Sequence, residues 1–312
     1  MTYPQGWPVV PRLLVRRERW PGGYGMRGTA LVYPGQEVEP HQPVMRLERI
    51  DLRARSGSPA SSPIIVPAGL RGRVIEITRR GGVIIESRAA LIQGSIGVGN
   101  QVAGVLTIWQ APLPNRPPQQ IPPGAILVVP VPLTFAMLRQ MLTSGIVGVV
   151  ASSIAARDLE GFLGADLITL MSSVNHDLIR LPPLTLLFTE GLGELPMPEY
   201  TLNLLKRYVG NVALLSGFTS VMPRRLPELL ISLPHEETQG NWQPLTPDPE
   251  LRLGSLVRIS AGEHRGQVGR IEYFFMHQQA FLSNVTARAA RVRLEDGSGL
   301  VVPLANLERI AE

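Results

Sequence analysis

Thirty-one glycines and twenty-nine prolines are spread through 312 residues, and this punctuation constrains the fold more than any other feature of the chain. Proline lacks the amide that a helix interior or a central strand needs, and glycine pays extra backbone entropy in both. Long helices are therefore disfavoured over most of the sequence, and many short strands joined by turns are expected. Hydrophobic residues make up 44% and charged residues 18%, enough apolar material to bury real cores, so the chain reads as folded. This length corresponds to about two domains, or three if one is a small barrel.

Missing residue types remove most mechanistic classes. The thirty basic residues are arginines except for Lys206, so a Walker A loop, which needs lysine after its last glycine, is absent. There is no cysteine, which removes disulfides, thiolate nucleophiles, iron–sulfur ligation and cysteine zinc sites together. His41, His176, His235, His264 and His277 sit on separate segments with no i, i+4 pair, so no metal site is expected. No serine occupies a Gly-x-Ser-x-Gly elbow. The glycines of GSIGVGN (94–100) do not form a dinucleotide fingerprint and read as turns. No cofactor is expected, and the balance tilts from chemistry towards binding.

The net charge of +5 is unevenly distributed. Residues 1–80 carry 13 arginines against 6 acids, an asymmetry that suits either a phosphate-binding face or a solvated strand surface. No basic segment followed by an apolar core opens the chain. The uncharged stretch between Arg139 and Arg157 falls short of the ~20 residues a spanning helix needs and is interrupted by Gly145 and Gly148. A soluble cytoplasmic protein without a membrane partner is expected.

Segments rich in proline and polar residues divide the sequence. RARSGSPASSP (53–63) reads as a loop, while APLPNRPPQQIPP (111–123) and LPHEETQGNWQPLTPDPE (233–250) read as linkers, the former extended and stiff. Before the first linker, β-prone runs recur at 13–15, 30–33, 44–50, 72–77, 82–87 and 104–109 with no helical period. Between the linkers the period changes. AILVVP (125–130), IVGVVA (146–151), LTLLFTEG (184–191) and NVALLSG (211–217) are apolar throughout, as strands covered on both faces are. PLTFAMLRQMLTSG (132–145), RDLEGFLG (157–164) and PEYTLNLLKRYVG (198–210) carry helical patterns. A largely parallel α/β sheet follows.

The last segment carries the most specific motif. LRLGSLVRISAGEHRGQVGRIEYF (251–274) resembles a KOW motif, with Gly254, Val257, Ile259, Gly262, Gly266, Val268, Gly269 and Ile271 at its characteristic places, and ARVRLEDGSGLVVPLANLERI (290–310) supplies later strands. The resemblance implies an SH3-like barrel of the kind found in ribosomal proteins and NusG-type transcription factors, with RNA, the ribosome or RNA polymerase as partner. The stretch FMHQQAFLSNVTARA (275–289) is longer than a hairpin turn, and Phe275, Met276, Phe281 and Leu282 are candidate anchors on it. More loosely, 28–48 and 67–87 resemble two halves of a barrel-sandwich hybrid, the fold of biotinyl and lipoyl carriers, but neither half holds a lysine to modify. The expected fold class is thus multidomain α/β plus all-β: a barrel-sandwich-like β domain (1–110), the 111–123 linker, a central parallel α/β sheet (124–232), the 233–250 linker and a KOW-type SH3-like barrel (251–312).

Two sets of residues are candidates for function. Arg258, His264, Arg265, Arg270 and Tyr273 in the KOW-like segment combine guanidinium groups for phosphate with an aromatic ring for stacking. Over 251–312 eight arginines nearly balance six acids, which favours a local RNA contact or a protein partner over nonspecific attraction. The second set lies where the four apolar strands end. Thr134, Ser152, Ser153, Thr189, Glu190, Gly191, Ser216 and Gly217 would line the carboxyl edge of a parallel sheet, where α/β proteins bind small polar ligands. The same hydroxyls also serve as helix caps and the same glycines as turns. The expected function is a noncatalytic interaction protein. The alternatives are a ligand-binding α/β domain scaffolded by two barrels, with Glu190 the first suspect for any chemistry, or a self-assembling structural protein. Asn175, His176 and Asp177 read as a solvated turn.

Overall fold

The computed structural model describes residues 8–23, 25–49, 62–111, 119–168, 183–219, 225–239, 242–246, 248 and 250–311. The chain divides into two compact units, Arg12–Pro244 and Leu245–Glu312 together with Met1–Pro11. The division falls within the 233–250 segment. Among the described residues no helix is long and apolar enough to cross a membrane.

The larger unit is built from β1 (Val9–Arg19), β2 (Met26–Ala30), β3 (Glu37–Val38), β4 (Pro43–Arg49), β5 (Ile64–Pro67), β6 (Gly72–Ile77), β7 (Val83–Gln93), β8 (Ile96–Val98), β9 (Gln101–Ile108), β10 (Ile126–Val129), α1 (Phe135–Leu142), β11 (Gly148–Ile154), α2 (Ala156–Leu163), β12 (Thr185–Leu192), α3 (Glu199–Arg207), β13 (Val212–Ser216) and β14 (Glu228–Ser232). One curled mixed sheet runs β3-β6-β7-β14-β13-β9-β10-β11-β12-β8, with β1 paired to β7; β2, β4 and β5 form a smaller antiparallel sheet. Strands β9 to β12 are parallel, and Leu106, Ile126, Gly148 and Thr185 lie in one row across them.

The apolar runs explain this core. Leu127, Val129, Val149, Ala151, Leu186 and Phe188 meet Leu138 and Met141 of α1 and Leu159, Phe162 and Leu163 of α2. Ile126, Val128, Val150 and Leu187 are equally buried on the opposite face, because the sheet curls and covers itself. A Cβ on Gly148 would come within 2.5 Å of Leu215 from β13. The curl is fastened where β8 meets the chain beyond β13. Gly97 donates its amide to the Thr219 hydroxyl at 2.8 Å, and that hydroxyl donates back to the Gly97 carbonyl at 3.0 Å.

Three features depart from the sequence reading. First, β9 and β10 flank the 111–123 segment yet pair as neighbouring parallel strands, so the curled sheet continues across it. Gln119 holds the returning chain by accepting from the Gln110 amide at 2.8 Å and donating to the Ile108 carbonyl at 2.7 Å; residues 112–118 lie outside those described. Second, the fourth apolar run, β13, is antiparallel to β9. The turn after α3 delivers it beside β9, where the Gly210 amide donates to the Leu106 carbonyl and the Leu106 amide to the Asn211 carbonyl. Third, GSIGVGN contains a strand as well as turns, since Ile96–Val98 pairs antiparallel with β12.

The smaller unit contains β15 (Leu256–Ile259), β16 (Val268–Phe274), β17 (Gln279–Ala280), β18 (Thr286–Ala287), β19 (Ala289–Leu294), β20 (Gly299–Pro303) and β21 (Leu307–Arg309). Five of them form an antiparallel sheet in the order β20-β19-β16-β15-β21, and Val257, Ile259, Ile271, Ala290, Val292, Val302 and Leu307 make its core. The glycine at 269 is required by close approach, because a Cβ there would lie 2.4 Å from the Arg293 carbonyl oxygen. At the β19–β20 turn Gly297 adopts φ +82° and Asp296 accepts from the Ser298 amide and hydroxyl. The long 275–289 stretch folds as the small β17–β18 hairpin, closed by Asn284 at φ 57° after a turn that begins at Phe281.

Candidate functional site

The expected strand-edge set is split by the direction of β13. Thr134, Ser152, Ser153, Thr189, Glu190 and Gly191 lie at the carboxyl ends of β10, β11 and β12, whereas Ser216 pairs with Gln101 at the start of β9 and so belongs to the opposite edge with Gly217. A Cβ on Gly217 would stand 2.1 Å from the Val98 carbonyl oxygen, so this glycine permits the closure of the curl.

Most of the remaining hydroxyls are engaged inside the fold. Thr134 caps α1 by accepting from the Met137 amide, and Asp158 of α2 accepts from the Phe135 amide at 3.2 Å. Ser153 both donates to and accepts from the backbone of Leu195 at 2.9 Å. Register slips between Ala151 and Ser153, where β12 carries one extra residue, and Thr189 and Glu190 at this bulge are both buried. Ser152 is fully buried there and its hydroxyl has no hydrogen-bond partner among the described residues. An unsatisfied buried hydroxyl costs free energy. Ser152→Ala is therefore expected to leave stability unchanged or raise it by up to about 1 kcal/mol in urea unfolding. A loss above that size would show that the hydroxyl has a partner in solution. The Asn175, His176 and Asp177 cluster lies outside the described residues.

Four arginines of the N-terminal part form ion pairs with acids brought near by the fold. Arg16 binds Glu86 at 2.5 Å, Arg17 binds Glu228, Arg71 binds Glu39 at 2.9 Å, and Arg80 binds Glu18 while lying over the Trp20 ring. Burial pushes the Glu18 carboxyl up, but hydrogen bonds from Arg80 and Thr78 outweigh it and hold the group below its ordinary value. Arg19 is buried, with its guanidinium turned to the carbonyls of Pro67 and Gln101. Desolvation pulls it down to about 9, still charged at neutral pH. These arginines act as struts between strands.

The candidates of the smaller unit separate by exposure. Arg258 is 4% exposed and lies 3.9 Å from the Glu308 carboxylate, so its side chain belongs to the interior. His264 and Arg265 are half-buried in the turn between β15 and β16. Arg270 and Tyr273 are exposed on β16. A bulge at Glu272 decides the fate of the aromatic pair. Ile271 pairs with Val292, but Tyr273 pairs with Arg291, so one residue of β16 is extra. Strict alternation would send Tyr273 inward with Ile271. The bulge turns it outward, 50% exposed, and lets Phe274 pack against the core.

Cross-strand register shows what shares that outward face. Tyr273, Arg291 and Val301 form one row across β16, β19 and β20, and Arg270, Arg293 and Gly299 form the next. Glu272 lies within reach of both β19 arginines, 2.5 Å from Arg293 Nε and 3.6 Å from Arg291 Nε. Arg270, Arg291 and Arg293 thus share this face with Glu272. The Phe275 ring meets Tyr273 edge-on at 5.2 Å and 86°, which restricts the tyrosine ring. Arg291 and Arg293 were absent from the expected set, although their alternation in ARVRL marks an exposed cationic face. Beyond Tyr273, the β17–β18 hairpin presents Met276 and Leu282, which are 89% and 106% exposed, while Phe275 and Phe281 are half-buried. The chain matches no family model, no curated protein and no solved structure.

Proposed function

We propose that this chain is a noncatalytic, cytoplasmic interaction protein that engages RNA, as free RNA or within the ribosome or the transcription machinery, through its C-terminal unit. In this proposal the C-terminal unit is a KOW-type SH3-like barrel, and the strands before it include a barrel-sandwich-like element without a carrier lysine. The outward face of β16, β19 and β20 carries the proposal. It joins Arg270, Arg291 and Arg293 to an exposed aromatic ring, a combination suited to phosphate and base together. The engaged hydroxyls at the strand edge of the larger unit give no comparable support to a small-ligand site.

Fluorescence anisotropy of the full chain with mixed-sequence single-stranded RNA, beside co-sedimentation with ribosomes and RNA polymerase of the source organism, tests the proposal. Phosphate contacts at Arg291 and Arg293 predict that log affinity falls with log salt at a slope of about −1.4. Arg291→Gln with Arg293→Gln should flatten the slope. The proposal is overturned if the chain binds none of the three probes at low salt.

A further inference from the structure

From the same face we infer a specific ligand class: unpaired nucleotides of single-stranded RNA, with one base stacked on the Tyr273 ring and the adjoining phosphates held by Arg291 and Arg293. This inference rests on the RNA reading above and adds the mode of contact. Three observations carry it. The bulge at Glu272 exposes an aromatic ring that the strand period would have buried, and half of that residue's surface remains open. The edge-on Phe275 ring limits the orientations of Tyr273, so little side-chain freedom is lost when a base lies on it. Arg291 stands directly across the strand pair from Tyr273, with its guanidinium lying against Gly299, where a side chain would occupy the space.

Among the described residues of these rows, Glu272 is the group that opposes an anion. It lies 2.5 Å from Arg293 Nε and 3.6 Å from Arg291 Nε, and the two arginine side chains remain 64% and 58% exposed, open to a phosphate from solvent. A base inside a duplex has no open face, so the ring cannot stack on it without unpairing. The contact therefore discriminates by strandedness. Sequence preference is expected to be weak, because every base offers a π-face.

The experiment compares the full chain, Tyr273→Phe and Tyr273→Ser in anisotropy titrations with a single-stranded RNA and with the same strand annealed to its complement. Tyr273 projects outward, so all three proteins should share one urea midpoint. Single-stranded RNA should bind at least tenfold tighter than the duplex. Tyr273→Phe should retain binding within about twofold, and Tyr273→Ser should lose about 5- to 100-fold, the range expected for one base–aromatic stack. Equal affinity for duplex and single strand, or unchanged binding by Tyr273→Ser, overturns the stacking contact while the RNA reading stands. Binding to polymerase or ribosomal proteins with no affinity for RNA also overturns it. Absence of binding to every probe removes the wider reading itself.

Discussion

Glu228→Ala is expected to destabilise the larger unit by about 3 kcal/mol, read as a lower urea midpoint at unchanged slope. Glu228 opens β14, and its two oxygens accept from Arg17 of β1 at 2.6 and 2.8 Å. The side chains are only 15% and 18% exposed, so water cannot replace the lost carboxylate at the guanidinium. A surface pair such as Arg46 with Glu48, 46% exposed on both sides, should cost under about 1 kcal/mol when broken. The contrast is a matter of solvation: both pairs have short contacts, but the Arg17–Glu228 pair is largely withdrawn from water and the Arg46–Glu48 pair is not. The double variant Arg17→Met with Glu228→Leu should recover most of the loss, because it removes both desolvation penalties at once. If Glu228→Ala unfolds at the same urea concentration as the parent, the pair does not hold the first strand of the unit to the last.

Within the larger unit, elements governed by local pattern were legible in the sequence. The apolar runs at 125–130, 146–151 and 184–191 hold β10, β11 and β12, and the helical spacing of Leu138 and Met141 directs both into the core. Strand direction was not legible. NVALLSG is as apolar as its parallel neighbours, and only the turn at 208–211 decides that it runs against β9. An apolar run records that both faces are covered and says nothing of orientation. The strand-edge site inherited that gap, since Ser216 and Gly217 were assigned to an edge that they leave. Proline density at 111–123 was read as a spacer, but a proline-rich connection is equally suited to joining two adjacent parallel strands when a residue such as Gln119 fastens its return.

In the smaller unit the glycine and valine spacing marked turns and core, with Val257, Ile259 and Ile271 all buried. The outward face was half legible. The strand sequence marks Arg270 and Tyr273 as outward candidates, but nothing in LVRI distinguishes an arginine folded inward, as Arg258 is, from one that projects. The bulge that exposes Tyr273 is a property of pairing with β19, and a single strand does not reveal it. Arg291 and Arg293 become part of the face through the same register. The proposed contact in this unit therefore depends on a departure from regular alternation, at a position where local periodicity predicts burial.

Thr219→Val should cost the larger unit about 2–6 kcal/mol, although the replacement keeps the shape of the side chain. Thr219 is 3% exposed, and its hydroxyl accepts from the Gly97 amide while donating to the Gly97 carbonyl. Valine would leave one buried donor and one buried acceptor unsatisfied, each costing about 1–3 kcal/mol. The site matters because β8 is the end strand of the curled sheet, and this hydroxyl ties it to the chain leaving β13. Hydrogen exchange should report the loss locally: the Gly97 amide would lose protection first, followed by the β8 and β12 amides that pair with each other. Thr219→Ser should retain most of the stability, since it preserves both hydrogen bonds. A valine variant as stable as the parent, with Gly97 still protected, would mean that packing around Gly217 alone keeps the sheet closed.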